Sequence, residues 1–217
     1  MKNYQTYQEV LQKINETKSE YLKNPFLFRI KLNKDLSENG FQKKIKSVSF
    51  DDGTKCVLWK ELVNFFEHNT TFEYNEITLK IEHHDIQSLV NEKITIYPRL
   101  VFHFEISNQY IGHIGITPKG EGINFSRVMV NRDMKGCGLG TLMMTIVLDY
   151  LHSFEKQLEI DPTKLFLECV GSVGFGENKQ DTPINVQKKF FMKFGFQQYK
   201  LDYHQNRVVG VHMKMVG

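Results

Sequence analysis

The chain has 217 residues, of which 41% are hydrophobic and 24% charged, values that suit a soluble globular protein with a sizeable core. Its formal net charge of +3 is too small for the strongly basic surface of nucleic-acid-binding proteins, so we expect no nucleic-acid partner. No apolar run approaches the ~18 residues of a membrane span, and the first residues lack the apolar stretch of a signal peptide. We therefore expect a cytoplasmic protein that does not contact membranes.

The cysteines argue against both a disulfide framework and a zinc knuckle. There are three of them, Cys56, Cys137 and Cys169, and no two are close in sequence. This usage fits a reducing compartment. The pair His83-His84 has no further ligand at metal-binding spacing in its segment, so we expect no metal.

The first 93 residues combine helical and strand patterns separated by polar turns. They predict a helix, two strands, a second helix, a third strand and a weak helical turn, at 3–23, 26–32, 45–50, 59–68, 77–81 and 85–92.

From residue 94 onward, β-forming residues dominate first and a long helical pattern follows. The expected order is a three-stranded meander, a helix, a strand, a long loop, a short helix and a hairpin, at 94–106, 110–116, 123–130, 141–158, 164–170, 171–183, 186–193 and 197–203 with 208–215. Because a helix joins the strands at 123–130 and 164–170, we expect these two strands to pair in parallel.

Three glycines at alternate positions, Gly136, Gly138 and Gly140, join the strand ending at Val130 to the long helix. Glycines let backbone N–H groups approach a ligand closely. A helix start adds free N–H donors and about +0.5 of an elementary charge. The stretch therefore predicts an anion site, most naturally for phosphate.

The spacing of this loop excludes two common phosphate motifs. A dinucleotide fingerprint needs its third glycine where Thr141 stands, and no Walker sequence is present. Lys135-Gly-Cys-Gly-Leu-Gly140 instead resembles the pyrophosphate loop of the Gcn5-related N-acetyltransferase superfamily, with Lys where Arg or Gln is usual. The preceding Val130-Asn-Arg-Asp-Met134 has the family's length, and Phe191-Met-Lys-Phe-Gly-Phe196 matches its later Tyr-x-x-x-Gly-Phe motif with Phe at the Tyr position.

This resemblance implies an α/β acyltransferase fold with a mixed, mostly antiparallel sheet flanked by helices. Residues 94–217 would form the core, and residues 1–93 would be part extension, part start of the fold. The extension would cover the acceptor cleft or mediate homodimer contacts. Acetyl-coenzyme A (acetyl-CoA) would be the acyl donor, held by the strand before the loop, the loop and two later positions: Val128, Met129, Val130, Lys135, Gly136, Cys137, Gly138, Leu139, Gly140, Thr141, Asn185 and Phe191.

The resemblance also implies direct attack by a primary amine on the donor. Glu168 and Glu105 are candidate general bases, and Glu121, which lies in a turn, is a weaker one. In many members of the family a Tyr at the position of Phe191 protonates the leaving thiolate, which Phe cannot do.

Three consequences of this Phe stay open. The thiolate leaves unassisted; Cys169, Ser126 or Tyr199 replaces the acid; or the protein binds the coenzyme without turnover. The alternatives to an enzyme are a non-catalytic acyl-coenzyme A-binding or protein-interaction module of the same fold and, more distantly, a nucleotide-binding protein whose loop holds another phosphate.

Overall fold

The computed structural model describes residues 47–50, 53–74, 76–90, 93–170, 182–204 and 207–215. The expected helix at 3–23, the strand at 26–32 and most of the loop at 171–183 lie outside these residues. The described strands are β1 Ser47–Phe50, β2 Thr71–Tyr74, β3 Ile77–Val90, β4 Lys93–Ile106, β5 Gln109–Lys119, β6 Gly122–Val130, β7 Leu165–Val170, β8 Gln197–His204 and β9 Arg207–Met215. The described helices are α1 Val57–His68, α2 Leu139–Gln157 and α3 Ile184–Met192.

The expected meander, crossover and final hairpin are confirmed, with boundaries that differ by a few residues. β5 pairs antiparallel with β4 and β6, β6 pairs in parallel with β7, and β8 pairs antiparallel with β9. The expected helical turn at 85–92 is wrong, because β3 continues through it to Val90. Pairing within the sheet outweighs the weak helical preference of this stretch.

The sheet is mixed and mostly antiparallel, which confirms the expected α/β class. Its strands follow the order β2-β3-β4-β5-β6-β7-β9-β8. By contacts the chain divides into two compact units, 1–52 with 84–98 and 53–83 with 99–217. In the first unit β1 pairs in parallel with the start of β4, from Ser47 opposite Lys93 to Phe50 opposite Ile96.

The core of the second unit lies between one sheet face and the helices. In α1 the buried Leu58, Leu62 and Phe66 recur at helical spacing, so one stripe of the helix faces the sheet. The Phe66 ring meets Phe102 of β4 edge to face, with centroids 5.6 Å apart. Burying such a side chain contributes roughly 1.5–3 kcal/mol, so these contacts fix α1 against the sheet.

The helix α2 packs on the same core through a second apolar stripe. Met143, Val147 and Leu151 are fully buried and recur every four residues. In the described part of the chain, no helix combines the length and apolar character needed to cross a bilayer.

The opposite face of the sheet carries polar side chains joined across neighbouring strands. Lys80 of β3 pairs with Glu105 of β4 at 2.7 Å, and His103 of β4 lies 3.2 Å from Glu82 of β3. His103 also lies directly opposite His113 of β5. The alternation of buried and polar residues along the strands therefore separates a packed face from a polar one.

His113 is held uncharged on this polar face. Burial first, and then the positive charges of Arg127, His103 and Arg99, lower the pKa of His113 from 6.5 to about 4. The hydroxyl of Tyr110 donates a hydrogen bond to Nδ1 of His113, which suits a neutral imidazole.

We expect a Gly53→Ala substitution to destabilise the second unit more than a matched Gly120→Ala substitution. Both glycines have positive φ, 72° and 61°, so each substitution costs roughly 1 kcal/mol in backbone strain. A methyl group at 53 would also lie 2.7 Å from Nε1 of the buried Trp59, whereas one at 120 would meet nothing within 4 Å. Overpacking adds about 1–3 kcal/mol to the loss at 53, measurable by urea unfolding. Equal losses for the two variants would contradict this account.

We expect His113 to make the protein less stable as the pH falls from 6.5 towards 4. The folded-state pKa of His113 lies below its ordinary value, so in this window the unfolded chain binds a proton that the folded chain does not. Unfolding free energies measured between pH 4 and 7 should decline less steeply in His113→Asn than in the wild type. His68→Asn, which removes an exposed histidine at the end of α1, is the matched control, and an equal change of slope in both variants would contradict this account.

Candidate functional site

The two parallel strands β6 and β7 separate after a short paired stretch. Ile123 lies opposite Leu165, and the last pair is Phe125 opposite Leu167. Both strands continue beyond it, β6 to Val130 and β7 to Val170. A gap therefore opens in the sheet between 126–130 and 168–170.

A β-bulge at Ser126 marks the point where the gap begins. On β5, Ile116 lies opposite Phe125 and the preceding Gly115 lies opposite Arg127, so Ser126 is the extra residue. Its hydroxyl donates a hydrogen bond to the carbonyl oxygen of Gly115 at 3.1 Å. A bulge bends its strand locally, and here the pairing with β7 ends beside it while the pairing with β5 continues.

The free edge of β6 presents backbone groups to this gap. The N–H of Asn131 donates to the carbonyl oxygen of Ile111 at 2.8 Å, so at this position the backbone faces β5. Since successive residues of an antiparallel strand face opposite neighbours, the N–H and C=O groups of Val128 and Val130 point into the gap.

The glycines of the loop have two different roles. Gly136 and Gly138 adopt positive φ, 88° and 79°, which only glycine does without strain. A side chain at either would meet nothing within 4 Å, so the surface here is bare backbone. Gly140 instead allows close packing, because a Cβ there would lie 3.3 Å from Cγ2 of Val130.

The start of α2 offers unsatisfied donors beside this bare backbone. Gly138 is its N-cap, without a side-chain cap, and the first turn contains no acidic residue. Among the described residues, none accepts a hydrogen bond from the N–H of Gly136 or Cys137. The positive end of the α2 dipole is therefore uncompensated, and Lys135 adds an exposed cation next to it. The arrangement suits an anion of phosphate size.

The gap and the loop line one cavity of about 830 Å³. Val128 and Val130 come from the helix-covered face of β6, and Arg127 and Met129 come from its polar face. The cavity therefore passes from one face of the sheet to the other. The expected donor-binding residues in its wall are Val128, Met129, Val130, Lys135, Gly136, Gly138, Leu139, Gly140, Thr141 and Phe191.

Two expected donor-binding residues lie outside this wall. Cys137 is exposed at the outer side of the loop, and Asn185 is exposed near the start of α3. In their place, the wall contains Val186, Gln187 and Phe190 of the same helix.

The two candidate bases have different surroundings. Glu168 lines the cavity, and its side chain is 43% exposed. It alternates along β7 with the buried Leu167 and Cys169, so it points to the polar face. Glu105 forms its ion pair with Lys80 and does not line the cavity.

Phe191 brings an apolar ring to the cavity wall. It is 8% exposed and meets the rings of Phe190 and Phe196, with centroids 5.0 and 6.2 Å away. Among the three candidate replacements for a proton donor, only Ser126 lines the cavity.

The other two candidate donors lie elsewhere. Cys169 is fully buried, and burial, followed by the nearby charge of Glu168, raises the pKa of its thiol to about 11. Tyr199 is exposed on β8, with its ring 6.0 Å from that of His212.

Sequence reasoning did not include Arg127, Gln187 and Phe190 among the site residues. The signal for Arg127 is the break in alternation along β6, where a bulge turns the residue after Ser126 to the polar face. Gln187 and Phe190 are three residues apart and share one face of α3. The sequence shows that they share a helix face, but it does not show that this face lines the cavity.

Comparisons with known proteins give structural likeness and no sequence match. No family model matches the chain, and no curated protein matches it. An acyl-CoA N-acyltransferase from Pseudomonas aeruginosa is 14% identical, with 54% of this chain and 68% of that chain covered and a TM-score of 0.39.

Two further solved structures contain coenzyme A. The PaiA N-acetyltransferase from Thermoplasma acidophilum is 14% identical, with coverage of 54% and 60% and a TM-score of 0.39. An aminoglycoside 6'-N-acetyltransferase is 13% identical, with coverage of 54% and 71% and a TM-score of 0.40. At these values the likeness assigns no function to this chain.

Proposed function

We propose that this protein is an N-acetyltransferase that moves the acetyl group of acetyl-CoA to a primary amine of a small molecule or a protein. The observation that carries the proposal is the continuity of the bare glycine loop with the gap between β6 and β7 in one cavity. The loop suits a phosphate-bearing group, and the gap suits an extended chain that pairs with a free strand edge.

The residues present fit the donor at both of its ends. The N–H groups of the loop and the start of α2, with Lys135, would hold the pyrophosphate. The backbone groups of Val128 and Val130 would pair with the pantetheine arm as an added strand would. When bound, acetyl-CoA supplies an acetyl group activated as a thioester.

A backbone N–H in the free edge of β6 would stabilise charge on the carbonyl oxygen under attack. Such a donor acts strongly because it is fixed before the reaction and lies in a partly water-excluded gap. Val128 and Val130 are the residues whose N–H groups have this direction.

The acceptor would approach from the polar face of the sheet. Glu168 faces that side at the gap and would accept the proton that the amine loses as the C–N bond forms. An alkylamine has an ordinary pKa near ~10.4, so at neutral pH it also has to lose a proton before it attacks. Glu105, paired with Lys80, is the second candidate for the base.

The thiolate released when the C–S bond breaks would receive no proton from Phe191. A thiol has an ordinary pKa near ~8.5, so its thiolate is a tolerable leaving group without assistance. Ser126 lines the cavity, and its hydroxyl would have to give up its bond to the carbonyl oxygen of Gly115 to donate one to the thiolate.

A non-catalytic module that binds acyl-coenzyme A is the second candidate function. Phe191 favours it, because an apolar ring stands where a proton donor would help turnover. The two functions differ in one assay. An enzyme releases free thiol from acetyl-CoA when amines are added, and a module binds acetyl-CoA without releasing thiol.

We expect calorimetry to show binding of acetyl-CoA at one site per chain, and weaker binding by Lys135→Ala. A charge-assisted contact contributes about 1.5 kcal/mol, so affinity should fall roughly tenfold. Lys156→Ala, which removes an exposed lysine from the other end of α2, is the matched control and should bind as the wild type does. Absence of heat with acetyl-CoA, together with binding of ATP, would favour a nucleotide-binding protein instead.

We expect Glu168→Gln to lower kcat by roughly 10²–10⁴-fold, the usual contribution of a general base, and to leave the affinity for acetyl-CoA unchanged. Glu105→Gln is the comparison, since it removes the other candidate carboxylate outside the cavity. Thiol release is measured with a panel of amines in the presence of EDTA. A large loss in Glu105→Gln and none in Glu168→Gln would transfer the role to Glu105.

A further inference from the structure

Three potential metal ligands meet on the polar face of the sheet, on three neighbouring strands. Glu168 of β7 lies directly opposite His212 of β9, and Asp202 of β8 approaches the same imidazole. One ligand atom from each lies within 4.8 Å of the others, an arrangement found nowhere else among the described residues. All three residues belong to the second compact unit.

The separations of these atoms suit a small divalent cation. Nε2 of His212 lies 2.6 Å from Oδ2 of Asp202 and 3.9 Å from Oε1 of Glu168. Two ligands bound tetrahedrally to Zn²⁺ at ~2.1 Å are about 3.4 Å apart, and the observed separations lie on either side of this value. To bind an ion between the three atoms, Nε2 of His212 has to exchange its hydrogen bond with Asp202 for the metal.

Gly210 leaves the space in which the carboxylates converge. It lies opposite Asp202 on β8 and two residues before His212, so a side chain there would point into the cluster. A Cβ at this position would lie 2.9 Å from Oε1 of Glu168 and 3.5 Å from Oδ2 of Asp202. Any larger residue would displace the carboxylate of Glu168 from His212.

The cluster contains two carboxylates, one of which also binds a lysine. Two carboxylates face one imidazole, and Lys200 binds Asp202 through Oδ1 at 2.9 Å. Oδ2 remains directed at His212. The side chain of His212 is only 14% exposed.

We propose that Glu168, Asp202 and His212 bind a divalent transition-metal ion such as Zn²⁺. One imidazole and two carboxylates form a ligand set suited to Zn²⁺, with a position left for water. The site adjoins the cavity, and a bound ion withholds Glu168 from proton transfer. The binding itself requires neither acetyl-CoA nor turnover, so it stands or fails apart from the proposed acetyl transfer.

Calorimetric titration of the full chain with ZnCl₂ tests the proposal, after treatment with EDTA and its removal. Every protein carries Cys137→Ser, because this exposed thiol is a competing ligand. We expect one saturable site per chain. His212→Asn and Glu168→Gln should each bind at least ~10-fold more weakly, since even outer-shell changes cost 10–100-fold in metal affinity.

Two further variants keep the result interpretable. His103→Asn removes a histidine from a two-residue pair with Glu82 on the same face and should bind as tightly as the parent. Gly210→Ala keeps all three ligands but displaces Glu168, and it should bind more weakly. Zn²⁺ should raise the melting temperature of the parent and not that of Glu168→Gln. Because the side chain of Glu168 is exposed, its replacement is not expected to disturb folding, so weaker binding by this variant reports the loss of a ligand. The proposal would be overturned if the parent showed no saturable binding. It would also be overturned if His212→Asn and Glu168→Gln bound Zn²⁺ as tightly as the parent does.

Discussion

The short parallel pairing of β6 with β7 is the constraint on which the rest of the site depends. The two strands are joined over three residue pairs, ending at Phe125 and Leu167. The pairing holds the first parts of the two strands together. Beyond it, the backbones of β6 and β7 are no longer hydrogen-bonded to each other. If β6 and β7 were paired along their whole length, there would be neither the cavity between them nor a free edge on β6. The helix α2 then starts at the open end and directs its N–H groups there.

Much of this arrangement is predictable from local sequence. Alternation predicts the meander, the glycines at 136, 138 and 140 predict the turn into α2, and the helix between two strands predicts parallel pairing. These features depend on neighbouring residues, so short windows of sequence contain the information. The weak helical turn expected at 85–92 is wrong because its place in the sheet, and not its own helical preference, decides its conformation.

The arrangement of side chains across strands was not predictable in the same way. Glu168, Asp202 and His212 are separated by 34 and 10 positions in the chain, and only the register of β7, β9 and β8 brings them together. Metal-binding motifs are recognised by short ligand spacing, as at His83-His84, and the three residues of this cluster have no such spacing. Likewise, the ion pair of Glu105 with Lys80 depends on which strands adjoin β4, and the two candidate bases look alike in sequence.

The bulge at Ser126 changes which alternate residues of β6 face the helices. Before it, the odd-numbered Ile123 and Phe125 face the helices, and after it the even-numbered Val128 and Val130 do. Because Ser126 is the extra residue, the positions that face the helices change from odd to even numbers at the bulge. The first half of β6 pairs with β7, and the second half leads into the glycine loop. The bulge also sets which amides face the gap. If Ser126 instead took its own place in a regular ladder, the far half of the strand would be inverted, and Val128 and Val130 would face the polar side.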